Sequence, residues 1–149
     1  MKHSAESDLL TDLVLEIFRV NAALIGSGDQ LVNDLGLTSA RWKVLGALAL
    51  SGNAMTVAQI AKMMGQTRQG VQRLADLMAQ DGLIVYRDNP LHKKAKLAEL
   101  TPRGRKLYAQ ADNRQVPWAE NLAEGLSQAD LRNALDILRK IYKRLDNKK

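Results

Sequence analysis

Residues 56–80 read TVAQIAKMMGQTRQGVQRLADLMAQ, and their spacing writes two short helices meeting at a corner. Thr56 opens the first, with Gln59 three positions on as in a capping box, and that helix ends near Met64-Gly65. Thr67 caps the second, which runs to about Gln80 and closes at Asp81-Gly82. Small Ala61 permits close approach of the two helices, Gly65 relieves the turn, and Val71 fills the angle between them. At about 100° per residue, Val71, Leu74, Leu77 and Met78 cluster on one side of the second helix and should pack inward. Gln69, Gln72, Arg73 and Asp76 lie opposite, with Arg68 on the flank of the first turn. Such a corner can also be purely structural.

Beyond the corner the period changes. Residues 83–86 (LIVY) are rich in β formers, and residues 95–100 (AKLAEL) give a second strand with Leu97 and Leu100 inward. Between them DNPLHKK, residues 88–94, is a polar turn with basic residues at its tip. A hairpin with an exposed basic loop follows. Charge agrees with this reading. Residues 66–106 carry nine basic against four acidic side chains, whereas residues 1–65 carry five against six. Most of the excess of the +6 chain therefore sits beside the corner, where a localised positive field draws polyanions.

Together, corner and hairpin resemble a winged helix-turn-helix. Gln pairs with adenine and Arg with guanine in the major groove, so Gln69, Gln72 and Arg73 form a reading surface. Thr67 and Arg68, at the helix N-terminus, suit phosphates or base edges. Gly70, costing about 1 kcal/mol in a helix relative to Ala, allows close backbone approach to DNA or to the preceding helix. His92, Lys93, Lys94 and Lys96 make the wing contact. Each of these residues alone is equally consistent with a solvated polar face.

The order of elements, from TVAQIAKMMGQTRQGVQRLADLMAQDGLIVYRDN to KKAKLAELTPRGR, resembles the MarR family of bacterial transcription regulators, and the likeness covers roughly residues 8–145. Leu100-Thr101-x-x-Gly104 matches the family's signature after the wing. The resemblance implies a homodimer of winged-helix lobes joined by N- and C-terminal helices. It implies operator binding to a palindrome as a repressor, with release by small aromatic ligands. One departure is visible. Where the family wing commonly carries Asp-x-Arg, this chain has His92 and Lys94. Lysine keeps the charge but not the planar fork, which favours phosphate contact by Lys93 and Lys94 over sharp minor-groove readout.

The flanks are helical. Leu9, Leu10, Leu13, Val14, Ile17, Phe18 and Leu24 give an apolar stripe from Asp8 to about Ile25, which GSGD at 26–29 should end. Thr38 caps a helix bearing Trp42, Leu45 and Leu48 that stops at Ser51-Gly52. Thr101-Pro102 starts another, running through Leu107 and Ala111 and kinked or broken near Pro117. Ser127, with Asp130 three positions on, caps the last helix to about Leu145. Leu131, Leu135, Leu138, Tyr142 and Leu145 recur as the seam of a helix–helix interface. Packing within one chain could bury that seam. A two-fold dimer, with Leu9 and Leu13 from the first helix, is the simpler solution.

At 149 residues the chain has one domain's length. The expected architecture is mostly α with a small β-hairpin: a winged-helix lobe over about 37–101, and a helical dimerisation region over about 8–26 and 102–146. No apolar stretch approaches the ~20 residues of a membrane helix, MKHSAESDLL lacks the apolar core of a secretory signal, and a cytoplasmic protein is expected. With no cysteine, thiolate sites and thiol-based sensing are excluded, and His3 and His92 lie too far apart in sequence to suggest a metal site. Neither a Gly-rich phosphate loop nor a nucleophile–base pair appears, so the expectation is a non-enzyme without cofactor. Its partners would be double-stranded DNA, a second copy of itself and a small aromatic effector, for which Phe18, Trp42 and Tyr108 are candidate pocket residues. Aromatics in such positions are more often core. Two other classes stay open. A winged helix acting as a protein-interaction adaptor would not require the polar helix face together with a basic wing tip. A sequence-tolerant architectural DNA binder would show a steep salt slope with little discrimination.

Overall fold

Helix α1 (Ala5–Val32) begins where Ser4 Oγ accepts the Ser7 amide at 3.2 Å. It does not stop at GSGD. The computed structural model, which describes residues 4–147 and so leaves His3 outside, carries α1 through both glycines. Glycine is tolerated there because it makes a contact. A Cβ on Gly28 would stand 2.5 Å from Ser39 Oγ. Without it, Ser39 packs against α1, its hydroxyl donating to the Ile25 carbonyl at 2.8 Å and its amide to Asp29 Oδ1 at 2.6 Å. Asp29 thereby serves one of the amides that the start of α2 (Ser39–Ser51) leaves without an intrahelical partner. The stretch expected to end one helix instead docks it onto the next.

Thr38 caps α2 and Gly52 closes it in the left-handed conformation, as the sequence predicts. The next elements are β1 (Met55–Thr56), α3 (Val57–Met64), α4 (Arg68–Gln80), β2 (Ile84–Arg87) and β3 (Leu97–Leu100). The sheet is antiparallel in the order β1-β3-β2, one strand more than the expected hairpin. β1 is only two residues long and pairs Met55 with Ala98 and Thr56 with Leu97, too short for any period to reveal it.

In β3 the inward pair is Ala98 and Leu100, while Leu97 is half-buried on the other face. Leu97 and Leu100 cannot share a face, since side chains alternate with period two. Opposite them, Ile84 and Tyr86 turn inward, and Val85 and Arg87 lie with Glu99, whose Oε1 meets Arg87 Nη2 at 2.7 Å.

The chain divides into two compact units, residues 1–115 and 116–149. The core of the first is built from α2, α3, α4 and the sheet, with Leu45, Ile60 and Met78 wholly buried. Helix α5 (Pro102–Ala123) runs from the first unit into the second, unbroken at Pro117. Proline removes one amide and so strands the carbonyl of Asn113; Asn113 is exposed, so water can serve it. Ser127 caps α6 (Gln128–Asp146), its Oγ accepting the Asp130 amide at 3.1 Å. α6 buries none of its residues. Among the described residues, no helix is long and apolar enough to cross a membrane.

The wing is closed at its base. The Leu83 carbonyl accepts the Thr101 amide at 3.1 Å, the Thr101 hydroxyl donates to the Gly82 carbonyl at 2.6 Å, and Thr101 Oγ1 in turn accepts the Gly104 amide at 3.0 Å. A Cβ on Gly104 would overlap the Leu83 carbonyl oxygen. Gly104→Ala should therefore force α5 off the sheet and cost about 3 kcal/mol, at the upper end of overpacking penalties, measurable as a lower denaturant midpoint. Gly26 is exposed, and a Cβ added there would meet nothing within 4 Å; it should accept alanine without loss of stability.

Candidate nucleic-acid interface

The α3–α4 corner has the chemistry its sequence calls for. Thr56 Oγ1 accepts the Gln59 amide at 3.2 Å and Gln59 Oε1 accepts the Thr56 amide at 2.9 Å, a complete capping box. Gly65 adopts a φ of 65°, the conformation that a side chain disfavours, and the Gln66 amide returns to the Ala61 carbonyl. Ala61 and Val71 are both buried in the angle.

Thr67 Oγ1 accepts the Gly70 amide at 3.1 Å, and a Cβ on Gly70 would press on that same hydroxyl at 2.9 Å. The glycine thus accommodates the cap of its own helix. At the other end, Asp81 ties α4 to its neighbours, its carboxylate meeting Arg41 of α2 at 2.6 Å and its carbonyl accepting from Arg103 of α5 at 2.7 Å.

The inward face of α4 is Val71, Ala75 and Met78, with Leu74 half-buried. Leu77, expected inside, is exposed. It sits about 120° round the helix from Val71, whereas Ala75 lies only about 40° away. Arg68, Gln69, Gln72 and Arg73 are all exposed. So are His92, Lys93, Lys94 and Lys96, in a loop shaped by Asn89, whose Oδ1 accepts the Leu91 amide and whose carbonyl accepts the His92 amide.

Helix and wing border one cleft of about 630 Å³. Arg68 and Gln72 line it from α4, His92, Lys94 and Lys96 from the wing, and Thr56 and Ala58 from the start of α3. Lys93, Gln69 and Arg73 are not on its wall; Arg73 borders a second, apolar groove with Leu74, Leu77 and Ile25.

Two residues absent from the sequence-derived set complete the cleft. Tyr86 and Asp76 also line it, and the Tyr86 hydroxyl donates to Asp76 Oδ1 at 2.8 Å. Burial and the Asp76 carboxylate together hold the Tyr86 phenol well above the ordinary tyrosine range, so it stays protonated. A tyrosine at an inward strand position, following a helix with an outward aspartate, was the available signal. Only the strand register shows that they meet.

Trp42 and Tyr108 share a different cleft of about 590 Å³ with Leu50, Met63 and Met64. Phe18 is not part of it and stands exposed on α1. Leu9 and Leu13 on α1, and Leu131, Leu135, Leu138 and Tyr142 on α6, are all exposed.

Residues 35–95, the corner and most of the wing, match the model of the MarR family. The uncharacterised protein Rv2011c of Mycobacterium tuberculosis H37Rv is 36% identical over 135 residues, spanning 91% of this chain and 93% of that one. The chain belongs to the MarR family. The transcriptional activatory protein BadR of Rhodopseudomonas palustris is 25% identical over 147 residues, 97% of this chain and 83% of its own. CouR from Rhodococcus jostii RHA1, solved bound to p-coumaroyl-CoA, superposes with a TM-score of 0.78 at 23% identity, over 87% of this chain and 91% of CouR. This MarR-family chain therefore has the fold and family of a DNA-binding transcription regulator.

The Tyr86–Asp76 contact is open to direct test. Asp76→Asn removes a negative charge that disfavours the phenolate, so Tyr86 should ionise at lower pH than in the parent chain. Phenolate absorbance in an alkaline titration, referenced to Tyr86→Phe, should show the shift; superimposable curves would rule the contact out.

Proposed function

We propose that this MarR-family regulator binds a palindromic operator as a homodimer and represses transcription from it, α4 entering the major groove and the wing lying along the adjacent backbone. The observation that carries the reading is the shared cleft, in which the exposed polar face of α4 confronts a wing bearing Lys94 and Lys96. In this role Arg68, Gln69, Gln72 and Arg73 supply base-edge contacts, with Thr67 at the helix N-terminus and Lys93, Lys94 and Lys96 on phosphates. His92 stands where an acidic partner would orient a minor-groove arginine, so the wing serves affinity more than sequence.

The dimer reading is supported by α6, whose apolar residues Leu131, Leu135, Leu138 and Tyr142 are exposed among the described residues. Two such faces meeting about a two-fold axis would remove Leu131, Leu135, Leu138 and Tyr142 from water, together with Leu9 and Leu13. The symmetry of the protein then dictates that of the site. The Trp42–Tyr108 cleft is of a size for a small ligand, and the p-coumaroyl-CoA bound by CouR favours an aromatic effector that releases the operator. A reporter under the selected operator should rise when the gene is deleted.

Arg73→Ala should weaken binding to a selected operator by about 1–3 kcal/mol more than to random duplex. Lys93→Ala and Lys94→Ala should weaken both alike, each lowering the salt slope by about one per lost phosphate contact. Equal losses for all three on both duplexes would instead mark a sequence-tolerant architectural binder.

Leu135→Asp combined with Leu138→Asp should yield monomers in sedimentation, because unpaired charge in an apolar seam is strongly unfavourable. A double variant that still sediments as a dimer would move the interface elsewhere.

A further inference from the structure

On the wall of the cleft between α4 and the wing, Gln72, Asp76 and Tyr86 form a closed polar triangle. The Gln72 amide nitrogen donates to Asp76 Oδ1 at 2.9 Å and to the Tyr86 hydroxyl oxygen at 3.3 Å, while Tyr86 donates to the same Asp76 oxygen at 2.8 Å. A glutamine amide can be turned either way round, and its neighbours decide which. Here both neighbours demand nitrogen. The carboxylate oxygen can only accept. The phenol's single hydrogen is committed to that carboxylate, which leaves the phenol oxygen to accept as well. Protonation of Tyr86 is secure, since burial and Asp76 both oppose its ionisation. Gln72 itself is exposed, and its carbonyl oxygen is the amide atom the triangle leaves for an outside partner.

We infer that Asp76 and Tyr86 are positioning residues that present Gln72 to DNA as a hydrogen-bond acceptor, so that it selects a base carrying an exocyclic amine; this rests on the base-reading role proposed for α4. In the major groove adenine N6 and cytosine N4 donate, whereas guanine O6 and thymine O4 accept. A glutamine with its amide unengaged would bond adenine through both ends and read adenine alone. The triangle spends the nitrogen. Gln72 then groups adenine with cytosine and rejects guanine and thymine at the base it faces. Asp76, on the outward face of α4, thereby acts through Gln72 rather than on the DNA.

The test uses the full chain and a randomised duplex library. The best duplex selected by the parent protein is remade with each of the four base pairs at every position, and affinities are measured for the parent, Gln72→Ala, Asp76→Asn and Tyr86→Phe. One position per half-site should tolerate adenine and cytosine within about threefold of each other and disfavour guanine and thymine about tenfold. Gln72→Ala should erase that preference. Asp76→Asn presents a carboxamide that can meet either end of Gln72, and Tyr86→Phe removes one acceptor. Both should narrow the gap to below about threefold at that position while preferences elsewhere persist. A merely structural loss would weaken all positions together.

If the Gln72-dependent position accepts adenine alone, Gln72 presents both ends and the inference fails, though base reading by α4 stands. If Asp76→Asn erases the preference and Gln72→Ala leaves it, Asp76 reads the base itself and the inference again fails alone. If the parent protein selects no sequence from the library, the base-reading role fails and the inference with it.

Discussion

The base of the wing is a knot of backbone contacts, and the placement of the candidate interface depends on it. The Leu83 carbonyl receives the Thr101 amide, and Gly104 lets α5 pass against that same carbonyl without a clash. Closing the hairpin there fixes its register, with Ile84 opposite Leu100 and Tyr86 opposite Ala98. A slip of one residue would turn every strand side chain to the other face. Tyr86 would then leave Asp76, and Val85 would enter the core. One junction thus ties the strand pairing to the side chains that face the cleft.

The same logic holds α4. Its inward face is a narrow wedge of Val71, Ala75 and Met78 set into the core. Its two ends are fixed separately, Thr67 capping the start and Asp81 bonding Arg41 and Arg103 at the finish. A helix held at both ends and along one side presents its remaining face in a defined orientation. Rigid presentation is what base reading requires, because the side chains must meet base edges without further ordering.

Contrast the two places where apolar surface stays open. The cleft of Trp42 and Tyr108 lies within the first unit, among residues of α2, α3 and α5. The stripe on α6 is a continuous helical face with no buried member. A concave site admits a small molecule, while a flat helical seam suits another helix. The two features therefore serve different proposed partners, an effector and a second copy.

Local chemistry was legible in the sequence. Thr38, Thr56, Thr67, Thr101 and Ser127 each mark a helix start, because a cap is a short-range contact between residues three apart. Gly52 and Gly65 mark ends for the same reason. The polar face of α4 and the basic loop followed from period and charge. Long-range contacts decided the rest. GSGD reads as a helix end until Ser39, ten residues beyond Asp29, is seen to need Gly28 bare. Two-residue β1 exists only because β3 offers it an edge. Gln72 looked like a free reader of adenine, and the strand register is what brings Tyr86 to it. Sequence determines which groups each segment carries and where it starts and stops, since those follow from neighbours along the chain. Which way Gln72 turns its amide depends on atoms fourteen residues away, and only the folded chain brings them within reach.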